Sequence, residues 1–535
     1  MTASSYQEWL VTHEPKLFCP EDQVAEQIAK FTRRPLLSIL LPTFNSNAQF
    51  LERCIRSVLN QRYSNWQLCI VDDCSSDDRV VQYIKSVAAD DRRIQLRVSS
   101  TNGGISAASN LALDMAGGEF IILLDHDDEL HPFALFEVAA ALSCNADIDL
   151  IYSDEDKIDF DGHRVCPAFK PDFDRDIFLA FDYLGHMIAL RRSVATALGG
   201  FRSACNGAQD WDLLMRVLER IDTHKVHHIH KPLYHWRMHG DSTALDRDSK
   251  PYVRRAWDAV LAGHLERTGL KADVAPGLFF GTMRLKRLPS KAARVAVFLR
   301  TEDGAYQMAA LAPNIDWDWT TFYELLGSSV TSSATWIWSL EEITADVFIF
   351  INRPLETVNH AFFEELIAQA MRDDCGLVTG ISVDIARVIH SGLIRGAGGE
   401  LMDPFVGLDF PHDGYLGLLS VVREVDTISD EFFAVRREHL ETVGGLGSVS
   451  ASFMPRLVQQ LTESAHGRGL RVLVTPYAVA TFEGVWPGAP SEIAQAMDRS
   501  GVNPDVNPDV KLNRVRLNPN LFAFENLADV FSGNV

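Results

Sequence analysis

Apolar and polar positions along this chain alternate in two rhythms. Residues 36–41, 66–71, 94–98 and 120–124 are short apolar runs, the last being Phe120-Ile121-Ile122-Leu123-Leu124 without a break. Such runs predict strands, the oiliest of them buried on both faces of a parallel sheet. Between the runs, apolar residues recur at helical spacing. Phe50, Leu51, Cys54, Ile55, Val58 and Leu59 share one face, and Val80, Val81, Ile84 and Val87 share another. Asn102-Gly103-Gly104 predicts a turn into a helix that runs from Ile105 to Ala116. Strands alternating with helices predict an α/β fold of Rossmann-like type: a mostly parallel sheet, right-handed crossovers and helices on both faces. Residues 1–34 read as a helical leader in which Pro20-Glu21-Asp22 supplies a first turn.

The polar residues that end these strands carry the chemical signal. The run 120–124 ends in Asp125-His126-Asp127-Asp128, the run 66–71 ends in Asp72-Asp73, and Asp154-Glu155-Asp156 follows Leu150-Ile151-Tyr152. The carboxyl ends of strands in open α/β sheets are where ligands bind. Two acids spaced by one residue can hold a divalent cation that also bridges phosphates. Acids gathered on one rim repel one another, and a cation or ligand donors would relieve that repulsion. The plainer reading of Asp125 to Asp128 is an acid-rich turn opening a helix at Pro132.

Composition narrows the classes. A chain of 535 residues has room for about three or four domains, each with its own core. A formal net charge of −22 argues against a general nucleic-acid binder or a polybasic membrane anchor. The eight cysteines are scattered with no Cys-x-x-Cys pair, which fits a reducing compartment and not a disulfide scaffold. With no apolar signal core at the N-terminus and no long apolar run, the expected location is the cytoplasm. The chain has no Gly-x-x-x-x-Gly-Lys phosphate loop, and Gly396-Ala397-Gly398-Gly399 is only a loose echo of the dinucleotide fingerprint. A P-loop enzyme and a nicotinamide oxidoreductase are therefore disfavoured. What remains is a nucleotide fold that relies on carboxylates and a cation.

Leu40-Leu41-Pro42-Thr43-Phe44-Asn45, Val71-Asp72-Asp73-Cys74-Ser75-Ser76-Asp77, Asn102-Gly103-Gly104-Ile105-Ser106, Leu124-Asp125-His126-Asp127-Asp128 and Gln209-Asp210-Trp211-Asp212-Leu213 occur in this order. Together they resemble the family 2 inverting glycosyltransferases of the GT-A fold. Tyr152-Ser153-Asp154-Glu155-Asp156-Lys157 and Tyr234-His235-Trp236-Arg237-Met238-His239 are similar to the bacterial branch that builds cell-surface polysaccharides such as O-antigens. The resemblance spans residues 35–244.

It implies a donor site lined by Pro42, Thr43, Asn45, Asn102, Gly103 and His126, with Asp72 and Asp73 on the nucleobase and ribose. It implies that Asp125 and Asp127 grip ribose and a Mg2+ or Mn2+ on the diphosphate, that His239 completes the metal site, and that Arg237 meets the leaving phosphate. Asp210 would be the general base, and Glu155 and Trp211 would touch the acceptor. The implied partners are a nucleotide-sugar donor and a glycan, lipid-linked glycan or glycoprotein acceptor, with no nucleic acid. Peripheral association with the cytoplasmic face of the inner membrane, or with other assembly enzymes, is compatible with this.

The chemistry is consistent. A divalent cation offsets charge on a departing nucleoside diphosphate, and an opposed carboxylate takes the acceptor proton. Asp210 has a plainer role as a helix-start acid that meets free N–H groups and the dipole. His224, His227, His228, His230, His235 and His239 form a dense run. Their spacing lacks a paired zinc-ligand set, and alternation along a strand explains His228 and His230.

The second half reads as a worn copy. Met187-Ile188-Ala189-Leu190-Arg191-Arg192 precedes Gly199-Gly200-Phe201, and Phe433-Ala434-Val435-Arg436-Arg437 precedes Gly444-Gly445-Leu446. That is an internal repeat of domain size. Val347-Phe348-Ile349-Phe350-Ile351 mirrors the strand before Asp125 but leads into Asn352-Arg353-Pro354. The expected division is a leader (1–34), a catalytic GT-A domain (35–288), a degenerate GT-A-like α/β domain (293–490) and an extended tail (491–535). Two functions stay open: a metal-dependent inverting transferase, and a non-catalytic glycan-binding or scaffolding protein.

Overall fold

The structure is a computed structural model that describes residues 3–239, 251–288, 293–300, 306–311, 336–337, 340, 343–353, 355–384, 387–395, 400–445, 448–449, 454–482 and 518–523. The expected tail (apart from 518–523), the boundary at 289–292, Pro354 and Gly396 to Gly399 lie outside them. The chain divides into two compact units: Met1–Phe173 with Asp182–Gly269, and Asp174–Phe181 with Leu270–Asn534.

The first unit begins with helices α1 (Ala3–Thr12), α2 (Glu14–Leu17) and α3 (Val24–Lys30). The leader is anchored by aromatic packing and charge. Trp9 packs on Phe169 with ring centroids 5.0 Å apart, Tyr6 Oη donates to Asp156, and Arg164 bridges Glu14 and Asp156. Then strand and helix alternate: β1 (Leu37–Thr43), α4 (Ala48–Leu59), β2 (Trp66–Asp72), α5 (Asp78–Asp90), β3 (Ile94–Val98), α6 (Ile105–Met115) and β4 (Phe120–Leu123). Local signals set these borders. Asn47 caps α4 by accepting from the amides of Gln49 and Phe50, and Asp77 caps α5 through Arg79 N, each satisfying donors that a helix start leaves open.

β5 (Glu129–Leu130), α7 (Ala134–Cys144), β6 (Leu150–Ile158), β7 (Arg164–Ala168), α8 (Arg175–Ala180), β8 (Ile188–Arg191), α9 (Arg192–Ala197), α10 (Gln209–Leu218), β9 (Val226–Arg237) and α11 (Pro251–Thr268) follow. Together the nine strands form one sheet, ordered β3-β2-β1-β4-β8-β6-β9-β5, with β7 on β6. The half built by the expected alternation is parallel: β1 pairs β2 and β4, and β2 pairs β3. Past β4 the sheet is mixed, because β8 enters antiparallel between β4 and β6. The core is the oily strand set closed by α4, α5 and α7. All eight cysteines are unpaired. Among the described residues no helix is long and apolar enough to cross a membrane.

The second unit repeats the topology. Val295–Arg300, Val347–Ile351, Phe432–Arg436, Cys375–Val383 and Arg471–Phe482 lie in that order in a sheet, with pairings parallel, antiparallel, antiparallel, parallel. The first unit pairs β1, β4, β8, β6 and β9 in the same order and directions. The double-glycine turns match too. Gly199 and Gly200 adopt φ of 79° and 68°, and Gly444 and Gly445 adopt 89° and 79°, a region open to glycine at little cost.

The eight residues Asp174–Phe181, which include α8, count with the second unit. Their acids enter a buried charge cluster there. Arg471 reaches Asp174 (2.8 Å), Asp176 (2.5 Å) and Glu424 (2.8 Å). Arg372 grips both oxygens of Asp176 at 2.9 Å. The observed division at Gly269/Leu270 thus differs from the expected one near residue 289, and it is discontinuous.

Candidate active site

The rim at the ends of β1, β2 and β4 gathers the expected residues into two layers, one holding backbone and one facing outward. Asp72 and Asp73 belong to the first. Asp72 is fully buried and accepts from Ser75 Oγ at 2.6 Å, Ser75 N at 3.0 Å and Thr43 Oγ1 at 3.3 Å. Asp73 accepts from the amides of Gly103 (2.9 Å) and Gly104 (2.8 Å), while Asn102 donates to its carbonyl. Both carboxylates therefore shape the loops around Ser75 and the start of α6. Asn45, with a left-handed φ of 46°, accepts from Ser76 N and Oγ through its side chain. It ties the loop that follows Pro42 and Thr43 to the one after β2.

The Asp125 to Asp128 segment splits in the same way. Asp128 is fully buried; it accepts from Tyr234 Oη at 2.6 Å and from Arg237 N at 2.7 Å. Burial and the charges of Asp127 and Asp125 push its pKa well above the carboxylate range. Asp127 Oδ2 lies 2.7 Å from His239 Nε2, so the expected metal ligands Asp127 and His239 do meet. Asp125 turns the other way, toward His186 Nε2 at 3.6 Å. Among the described residues, the groups whose three ligand atoms lie within 4.8 Å of one another are Asp172–His228–His230 and Asp159–Asp161–His163. Asp125, Asp127 and His239 form no such group. His126 lies between the two acids, and its Nδ1 is buried with no hydrogen-bond partner among the described residues.

Two expected residues sit differently from the implied roles. Arg237 is buried, its guanidinium paired with Glu129 and donating to the Asp127 carbonyl. It braces the acid loop and is not presented as an open cation. Trp211 is 3% exposed, because the amphipathic α10 turns it into the core along with Leu214 and Leu218.

Asp210, in the first turn of the same helix, is partly exposed and accepts from Gln209 Nε2 at 2.8 Å. Burial, then the negative charge of Asp125, raises its pKa to about 7. Asp212, one residue past Trp211, is instead fully buried and neutralised by Arg202 and Arg216. The Asp-Trp-Asp motif therefore contains one acid neutralised by two arginines and one acid whose pKa is raised.

The principal residue missed in the sequence is His186. Its ring stacks on Tyr234 at 4.5 Å, between Asp125 and Glu155 Oε2, each 3.6 Å away. Burial works against its charge, but those two carboxylates hold its pKa well above the ordinary value. Burial likewise works against ionised Glu155, while Lys170 and His186 hold it below the usual range. Lys170 Nζ is 3.0 Å from Glu155 and also donates to the Leu184 carbonyl. The signal for His186 lay in strand direction. Phe120 pairs with Arg191 antiparallel, and continuing that register sets residue 186 opposite residue 125.

The same register in the second unit, Val347 with Arg436, sets Glu431 opposite Asn352. There Asn352 donates to Asp430 at 2.7 Å, and Arg353 pairs with Glu431 at 2.9 Å. Where the first unit sets a histidine beside an acid, the second closes the position with its own ion pair. Arg353→Ala leaves buried Glu431 to Ser429 Oγ at 3.3 Å and His390 Nε2 at 3.9 Å and is expected to cost the second unit up to about 3 kcal/mol, read as a lower unfolding midpoint. Turnover on a short soluble acceptor, measured on the folded fraction, is expected to stay near wild type.

Residues 38–199 match the family described as Glycosyl transferase family 2. An uncharacterized protein of Sinorhizobium fredii, y4gI, is 30% identical over 79% of this chain and 50% of its own length. The O-antigen biosynthesis protein RfbC of Myxococcus xanthus is 28% identical over 83% of this chain and 37% of its own. The chain thus spans half or less of the length of these relatives. Among solved structures, S. aureus TarS 1–349 in complex with UDP matches 43% of this chain and 71% of its own at 19% identity, with a TM-score of 0.33, too partial a superposition to argue from.

Proposed function

We propose that this chain, whose residues 38–199 form a glycosyl transferase family 2 domain, moves a sugar from a nucleotide-sugar donor to a hydroxyl of a cell-surface glycan, with inversion and with Mg2+ or Mn2+. The observation that carries the reading is Asp210, a carboxylate in the field of Asp125 with a pKa near 7, matched to general-base work at neutral pH. As the acceptor oxygen bonds the anomeric carbon, Asp210 takes its proton and the bond from that carbon to the diphosphate oxygen breaks. Direct attack by the acceptor oxygen, with Asp210 as the base, inverts the anomeric carbon.

Asp127 and His239, 2.7 Å apart, would hold the cation, joined by Asp125 on turning from His186, and two carboxylates with an imidazole suit a divalent ion. When bound there, it offsets the charge that develops on the leaving diphosphate. His186 positions Asp125, and Arg237 positions Asp127. The buried Nδ1 of His126 fits a donor contact. Asp72, Asp73, Asn45, Asn102 and Gly103 act by setting the loops that frame the nucleotide. Glu155 stands on the acceptor side.

The likeness to RfbC, an O-antigen biosynthesis protein, supports a polysaccharide acceptor. The scaffold or glycan-binding alternative is favoured for the second unit alone, by the Arg353–Glu431 pair.

Thermal unfolding with UDP, GDP and their sugar conjugates tests the reading, in Mn2+ or Mg2+ and in excess chelator. A nucleotide at about 100 times its Kd adds roughly 2.7 kcal/mol, and this gain is expected only when the ion is present. Equal stabilisation in chelator removes the metal role. A folded protein that no nucleotide sugar stabilises favours the scaffold.

A further inference from the structure

The sequence offered strand alternation as the reason for His228 and His230. The structure adds a third residue. Asp172, remote in sequence, lies 3.2 Å from His228 Nδ1 and 2.9 Å from His230 Nε2 through one oxygen, Oδ1. The three ligand atoms all fall within 4.8 Å of one another. We propose that Asp172, His228 and His230 form a second metal site, distinct from the acid rim, that takes Zn2+ or Co2+ with two imidazoles and one carboxylate.

Several features hold these groups in place before any ion arrives. His228 and His230 stand two apart on β9, where a register shift against β6 takes the pairing from Ser153–Ile229 to Asp154–Pro232. Irregularities of this kind re-aim side chains. The other nitrogen of His228, Nε2, sits 2.9 Å from buried Asp154 Oδ1. A ligating histidine commonly donates its second N–H to a carboxylate, which fixes the tautomer and leaves the first nitrogen free to bind metal. Here Nδ1 faces Asp172 Oδ1 at 3.2 Å, where a metal ion would take the place of the proton shared between them. Asp154 is itself pinned by accepting from Lys170 N at 2.9 Å. The His228 ring stacks on Tyr152 with centroids 4.2 Å apart.

Asp172 is held by its backbone. Tyr152 Oη donates to the Pro171 carbonyl at 2.8 Å, and Tyr183 Oη donates to the Asp172 carbonyl at 3.2 Å. Ligands about 2.0–2.1 Å from a tetrahedral ion stand about 3.3 Å apart, close to the separations seen. The Asp172 and His230 side chains are 27% and 32% exposed, so an ion can enter and a fourth position stays open to water. Imidazole ligands favour Zn2+ or Co2+ over Mg2+ and Mn2+. The competing account of the same distances is a metal-free His–Asp–His hydrogen-bond network.

Calorimetric titration of the full chain with Zn2+ at pH 7, with Co2+ absorption as a second readout, separates the two. An Asp127→Asn background removes the rim as a competing site. In it, one equivalent is expected to bind, and His230→Gln, at a half-exposed position, is expected to abolish it while leaving the thermal midpoint of the apoprotein near its parent's. Asp154→Asn is expected to weaken binding by roughly 10- to 100-fold, the usual weight of an outer partner, and to alter the Co2+ bands. No bound equivalent in the Asp127→Asn background overturns the proposal, as does an equivalent that His230→Gln leaves intact. Neither outcome bears on the transferase reading, which rests on Asp210.

Discussion

Asp210→Asn is expected to lower turnover by about 10²- to 10⁴-fold, the weight of a general base, with donor affinity near wild type. The same change is expected to make the protein more stable at pH 8. A carboxylate whose folded pKa is raised to about 7 withholds stability once the solution passes its unfolded value. Its contribution is present below that unfolded value and is lost as pH rises toward 7. Asparagine escapes the loss, and the unfolding midpoint is expected to rise by roughly 2–4 °C, what about 1 kcal/mol gives in a unit this size. In the wild type, kcat/KM, which reports the free enzyme, should rise with pH and level off above about 7. Bound cation beside Asp125 should move that limb lower, because it cancels the like charge that is the second cause of the shift. A variant that binds donor poorly yet turns over normally would make Asp210 a donor ligand and not the base.

Arg471→Met is expected to destabilise the second unit by about 3–5 kcal/mol, the cost of leaving buried acids without their cation. Arg471 is the common partner of Asp174, Asp176 and Glu424. Burial opposes the charge of Asp176, but Arg372 and Arg471 hold its pKa below the carboxylate range. Stability from such a lowered acid is present above the unfolded value near 3.8 and is lost as pH falls from there toward the folded value. The acid limb of the wild-type stability curve should therefore flatten in Arg471→Met. A midpoint within about 1 °C of wild type would mean the cluster is solvated and contributes little.

Much of the first unit was legible because each of its early elements is made by local rules. The helical face of Leu51, Cys54, Ile55 and Val58 is buried in α4, and Ile94–Val98 is β3. Asp72-Asp73 and Asp125 to Asp128 do gather at strand ends, whereas Asp154-Glu155-Asp156, expected on the same rim, lies inside β6 because the strand runs on past its apolar start; the double-glycine repeat corresponds to a repeated topology. What stayed hidden depends on direction and on distance in sequence. An apolar run does not state whether it pairs parallel or antiparallel, so β8 and the placement of His186 beside Asp125 were invisible. Arg237 and Trp211 carry the right chemistry for a ligand, yet a neighbouring acid and an amphipathic face take them inward. Asp172 could not be joined to His228 and His230 from spacing, because 56 residues separate it from the nearer one.

The segment Asp174–Phe181 has a consequence for how such a protein can be built or inherited. Two tandem copies joined by a linker can be exchanged like cassettes, since one crossover in the linker carries a whole copy. Here a crossover near Gly269/Leu270 would carry Arg372 and Arg471 but leave Asp174 and Asp176 behind. A cut at that point would strip the same acids of their cations and leave Ile177, Phe178 and Leu179 without the unit they are counted with. Homologous replacement of the second unit then has to bring residues 174–181 with it.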